Sequence, residues 1–180
     1  MKDYSSFELN DKPLTLSSDA IKALREVARQ ARHLKKSACA MILGKDGSFD
    51  RVVDAQEALA LKSDIEAIRN RAHAFDANCV MLAHGHLKGS ILDGTDVYFD
   101  YRYASSGDIC DLIQCQTQID SDVKIYMACV GCDDLGNVTM QVLSYDGETC
   151  YQYTNLEANG SRLQLSSDNL VKLEHPDAKY

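Results

Sequence analysis

Ile21, Leu24, Val27, Ala28 and Ala31 recur at three- and four-residue steps with basic residues turned away between them, and Ser17 or Ser18 stands where a cap belongs. This spacing predicts an amphipathic helix. "ACAMIL" (38–43) is an unbroken apolar run and predicts a buried strand, turned by Gly44-Lys45-Asp46-Gly47 so that "SFDRVVDA" returns as a second strand. Ser63-Asp64-Ile65-Glu66 has capping-box spacing, in which the serine oxygen and the glutamate side chain satisfy backbone donors reciprocally. The stripe Ile65, Ile68, Ala72 and Phe75 then predicts a second helix ending near Asp76.

"NCVMLAH" (78–84) is apolar throughout, as a central strand covered on both faces must be. Residues 87–104 mix glycines, aspartates and four aromatics, and read as an inserted loop or small hairpin. Ser105-Ser106-Gly107-Asp108 can open a third helix with Ile109, Leu112 and Ile113 inward. "VKIYMACV" and "VTMQVLSY" predict two strands joined by a turn at Asp133 to Asn137. The order is that of an α+β chain with a mixed sheet and an antiparallel finish. Beyond about residue 155 the sequence turns polar, and its closing "EHPDAKY" reads as a frayed tail.

Composition narrows the function classes. A chain of 180 residues with 45% hydrophobic positions can bury one sizeable core. A formal charge of -8 opposes a sequence-independent grip on nucleic acid, which depends on neutralising phosphates. The cluster Arg25, Arg29, Arg32, Lys35 and Lys36 falls on the solvent side of the first helix. No apolar run approaches the ~18 residues of a membrane span, and the N-terminus lacks a signal-peptide core, so a cytoplasmic protein with no membrane association is expected. Seven cysteines, mostly within apolar runs, read as reduced buried thiols. Cys129-Val130-Gly131-Cys132 has the spacing of a redox motif or half a zinc site, but it ends a strand with no second pair and does not open a helix.

The chemistry gathers at His84-Gly85-His86, where the central strand ends. Residues two apart on a strand share a side, so both imidazoles can aim at one point while Gly85 clears space between them. A catalytic zinc takes three protein ligands, and the third is expected from Asp108, whose carboxylate in the first turn of a helix is favoured by the dipole and backbone donors. Asp111 is a competing ligand one turn on, and Ser105 lies beside Asp108.

His-x-His followed by Ser-x-x-Asp, after a helix and a buried strand, resembles the JAB/MPN (JAMM) metalloprotease family. "LTLSSDAIKALREVARQARHLKKSACAMILG" looks like that family's opening helix and first core strand, and "RNRAHAFDANCVMLAHGH" is similar to its RadC branch. The resemblance implies a JAB/MPN (cytidine-deaminase-like) fold with a central mixed sheet flanked by helices. It implies one domain over residues 1–155, inserted at 87–104, and a C-terminal extension at 156–180. It further implies that His84, His86 and Asp108 bind zinc, and that Ser105 helps to stabilise the oxyanion formed when a peptide or isopeptide carbonyl is attacked. Substrates of the family are proteins or peptides, typically joined to ubiquitin or ubiquitin-like proteins.

Three positions depart from the family pattern. Leu87 replaces the usual proline, the spacing from His86 to Ser105 is long, and Ser37-Ala38-Cys39-Ala40 occupies the place of the general-base glutamate. A serine cannot accept a proton at neutral pH as a carboxylate does, and that assistance is worth about a hundredfold to ten-thousandfold. Substitute carboxylates are Glu57, Glu26, Asp93 and Asp96. The expectations are therefore a zinc-dependent peptidase or isopeptidase with a displaced base, or a non-catalytic MPN-like module. The module would use contacts such as Tyr98, Phe99, Tyr101 and Tyr103. A RadC-like protein linked to DNA is the third, and the acidity opposes it.

Overall fold

A computed structural model describes residues 14–34, 38–61, 64–86, 106–119, 122–133, 135–157, 163–165 and 170–173. The strands are β1 (Leu14–Leu16), β2 (Cys39–Lys45), β3 (Ser48–Val52), β4 (Cys79–Gly85), β5 (Lys124–Cys132), β6 (Val138–Tyr145), β7 (Cys150–Glu157), β8 (Leu163–Leu165) and β9 (Leu170–Leu173). The helices are α1 (Ser18–Leu34), α2 (Ala55–Leu61), α3 (Ile65–Ala74) and α4 (Ser106–Gln118). All nine strands form one mixed sheet in the order β8-β1-β3-β2-β4-β5-β6-β7-β9. β1 runs parallel to β3 and β4 parallel to β5, whereas the other neighbours are antiparallel.

The helical stripe of the first segment becomes α1, and Ile21, Leu24, Val27, Ala28 and Ala31 are all buried. Ser17 Oγ accepts from the Ala20 amide at 3.2 Å, closing the helix start. α1 packs on one face of the sheet with Ala40, Ile42, Met81, Ala83, Ala128 and Val130. The opposite face carries Met41, Leu43, Val80, Met127 and Cys129 and is covered by residues of α2, α3 and α4 such as Ala58, Ile68, Ala72 and Leu112. A sheet covered on both sides explains the unbroken apolar runs: all nine residues of β5 are buried, as are Cys79, Val80, Met81 and Ala83 of β4.

The β2–β3 hairpin turns where expected. Asp46 and Gly47 have φ of 50° and 85°, the left-handed pair that a tight hairpin twisted like its strands requires. Asn78 braces it, since its Oδ1 accepts from the Asp46 amide at 2.8 Å and its Nδ2 donates to the Asp46 carboxylate at 2.9 Å. The second helix starts one residue later than the serine cap predicts. Asp64 is the cap, accepting from the Ala67 amide at 3.0 Å, and Glu66 instead meets Arg69. An aspartate is as good an acceptor as a serine, so the neighbouring cap wins without loss. Phe75 caps the helix C-terminus and is 43% exposed, outside the buried stripe.

Residues 163–165 and 170–173 add strands to the two opposite edges of the sheet, β8 on β1 and β9 on β7. β7 itself runs to Glu157. The closing residues 174–180, the 87–104 segment with Leu87, Asp93, Asp96 and its aromatics, and Ser37 and Ser105 lie outside the described residues. Among the described residues no helix is long and apolar enough to cross a membrane.

Candidate metal centre

The two histidines sit at the carboxyl end of β4, where α4 begins its return toward the parallel strand β5. In α/β sheets this end of a strand, facing the N-terminus of the following helix, is where ligands gather. Alternation along β4 sends His84 and His86 to the face covered by α4, and sends Gly85 to the face covered by α1. Gly85 therefore does not clear space between the imidazoles. A Cβ there would overlap the Cβ of Ala31 and stand 3.0 Å from the Val27 carbonyl oxygen, so the glycine is set by helix packing.

Asp108 lies in the first turn of α4 and is 7% exposed. Its Oδ1 is 2.7 Å from His84 Nε2 and its Oδ2 is 3.2 Å from His86 Nε2, and the two Nε2 atoms are 2.9 Å apart. An imidazole Nε2 bears one proton at most, so a histidine cannot use it to serve both the carboxylate and the other ring. A cation between them would satisfy all three donors at once. Ligands ~2.0–2.1 Å from a tetrahedral zinc stand ~3.3 Å from one another, near the spacing seen here. The donor set fits a zinc-like divalent ion. Asp111, one turn on, is exposed and does not join the group.

A fourth side chain belongs to this cluster. Cys129 on β5 is the register partner of His84, is fully buried, and its ligand atom and those of His84, His86 and Asp108 all lie within 4.8 Å of one another. Burial first, and then the charge of the Asp108 carboxylate, push its thiol well above the ordinary thiol range. Cys132, three residues on, faces the α1 side of the sheet, so the Cys-x-x-Cys spacing joins no pair. Sequence spacing raised Cys129 only together with Cys132, as a redox motif or half a zinc site, because its proximity to His84 comes from the parallel pairing of β4 with β5.

On the other side of His84 the register partner is Cys39 of β2, and the Gly85 amide donates to the Ala38 carbonyl at 3.1 Å. The start of β2 thus lies beside the histidines, but a half-buried thiol, not a carboxylate, is His84's neighbour there. The two substitute carboxylates that the structure describes are occupied elsewhere. Glu26 is exposed on α1, across the sheet from the histidines, and accepts from Gln30 Nε2 at 3.0 Å. It lines an open groove of mixed charge with Arg29, Asp50 and Arg51. Glu57 on α2 is paired with Arg71 of α3. Beyond Cys129 the same row continues to Gln141 on β6, a buried side chain whose Oε1 has no hydrogen-bond partner among the described residues.

No protein-family model, curated protein or solved structure matches this chain.

Proposed function

We propose that the chain is a zinc-binding domain of the JAB/MPN kind and that its metal serves the hydrolysis of a peptide or isopeptide bond. The observation that carries this reading is the convergence, across β4 and α4, of His84 Nε2 and His86 Nε2, 2.9 Å apart, each within 3.2 Å of an oxygen of Asp108. Two neutral imidazoles and one carboxylate are the ligand types that suit zinc over calcium or magnesium. Bound zinc would supply Lewis acidity toward water and toward the scissile carbonyl. The protein's part is to fix the donors: the β4 backbone holds both rings on one side, and the α4 N-terminus stabilises the carboxylate as an anion. Ser105, the oxyanion partner implied by the family resemblance, completes the proposal. The substrate class is a protein or peptide, with ubiquitin-like conjugates first to try.

Glu26 and Glu57 favour a second reading, that of a metal-holding module acting through protein contacts, because neither carboxylate is at the centre. Cleavage of a ubiquitin-like fusion or a short peptide by the purified chain separates the two. Hydrolysis lost to a chelator and restored by zinc supports the enzyme. Zinc held without turnover supports the module, and a chain that takes up no zinc overturns both.

A further inference from the structure

Of the seven thiols, five are buried, and a buried cysteine is ordinarily a small apolar filler. Cys129 differs from Cys79, Cys115, Cys132 and Cys150 in its surroundings. Among the described residues the only group of three or more side chains able to hold a metal ion is His84, His86, Asp108 and Cys129. Two strands and a helix converge to make it. Cys129 reaches the group through the parallel register that sets it beside His84, and its sulfur lies within 4.8 Å of both imidazole ligand atoms and of the carboxylate that touches them.

We propose that Cys129 is a fourth protein ligand, so that the metal is held by two histidines, an aspartate and a cysteine thiolate. This rests on the reading that His84, His86 and Asp108 hold a metal, and extends it. On binding, the thiol gives up its proton to solvent and the sulfur lone pair forms the metal bond. A thiolate among the donors selects soft or borderline ions such as zinc, and disfavours magnesium and calcium. Four protein donors are the closed count of a structural site, whereas a catalytic zinc keeps one position open. The fourth ligand therefore ties the start of α4 to β4 and β5, and hydrolysis would require Cys129 to leave.

Cobalt(II) bound to the full chain in place of zinc reads the sulfur directly. The expected spectrum has visible bands of four-coordinate cobalt together with a near-ultraviolet sulfur-to-cobalt charge-transfer band. Cys129→Ser and Cys129→Ala should lose the charge-transfer band, keep cobalt in the visible region, and bind zinc at least about tenfold more weakly. Cys39→Ser, which alters the thiol on the other side of His84, should keep both bands. Visible bands without charge transfer in the wild-type chain overturn the proposal, whatever the variants do. Charge transfer lost in Cys39→Ser and retained in Cys129→Ser also overturns it, by assigning the sulfur to Cys39. A wild-type chain that binds no cobalt, or binds it equally after His84→Ala and Asp108→Ala, overturns the underlying three-ligand reading as well.

Discussion

Gly85 on β4 lies directly against Ala31 on α1, so close that no side chain fits between the strand and the helix. The same backbone position separates the two histidines, so the approach of α1 on one face holds the strand segment that aims both imidazoles on the other. Gly85→Ala should destabilise the fold by about 1–3 kcal/mol, the usual cost of overpacking a core, and weaken metal binding with it. Urea unfolding with and without zinc checks both effects. A stability equal to wild type would remove the packing role assigned to this glycine.

His84→Ala, His86→Ala and Asp108→Ala should each abolish stoichiometric zinc, with affinity falling by more than the ~10–100-fold typical of losing an outer-shell partner. Asp111→Asn should leave it unchanged, since Asp111 is exposed and outside the cluster. Metal analysis after gel filtration decides the matter. Zinc lost in Asp111→Asn but kept in Asp108→Ala would exchange their roles.

Lys124 makes the stability depend on pH in the alkaline range. It is 3% exposed, donates to the Tyr145 carbonyl at 2.6 Å, and burial pulls its ammonium from 10.5 down to about 8, against the raising influence of Asp146. Between these values the unfolded chain binds more protons than the folded one, so this group's contribution to stability rises with pH. Cys79, Cys115 and Cys150, raised by burial from 9.0 to about 11, act in the opposite direction above pH 9. The measurement is therefore a difference. From about pH 8 to 10.5, wild type should gain on Lys124→Met by up to about 3 kcal/mol. A difference that shrinks over this range would make Lys124 a net stabilising cation.

Thiol reactivity should separate the cysteines by burial. Cys110 is exposed and should be alkylated first, with half-buried Cys39 slower and the five buried thiols protected until unfolding. Mass mapping after a short iodoacetamide pulse gives the order. Rapid labelling of Cys115 or Cys150 in the native chain would contradict their burial.

Local signals were readable where a single element decides them. The α1 stripe, the hairpin at Asp46-Gly47, the β4 apolar run and the same-side placement of His84 and His86 all follow from spacing along the chain. The short helix α2 did not, because only Ala58 of Ala55–Leu61 is buried, too few positions to mark a helical stripe. β1, β8 and β9 escaped for another reason. Strands of three or four residues hold too few alternations to mark a period, and their pairing is decided by partners far away in sequence. At the candidate metal centre, Asp108 could be named from its helix start, whereas Cys129 needed the β4–β5 register. Gly85 was placed correctly in the strand but explained by the wrong neighbour, since only tertiary packing shows which face meets α1.

The sheet's two outermost strands, β8 and β9, come from adjacent stretches near the end of the described chain, yet they close opposite edges. β8 must find β1, at Leu14–Leu16, while β9 pairs with β7, which lies nearby in sequence. During synthesis the central strands can therefore assemble while β1 and β7 still present unpaired backbone, and such edges invite other strands. Both flanks are covered only once residues 163–165 and 170–173 are in place, so these two short strands shield the sheet's edges as well as extending it.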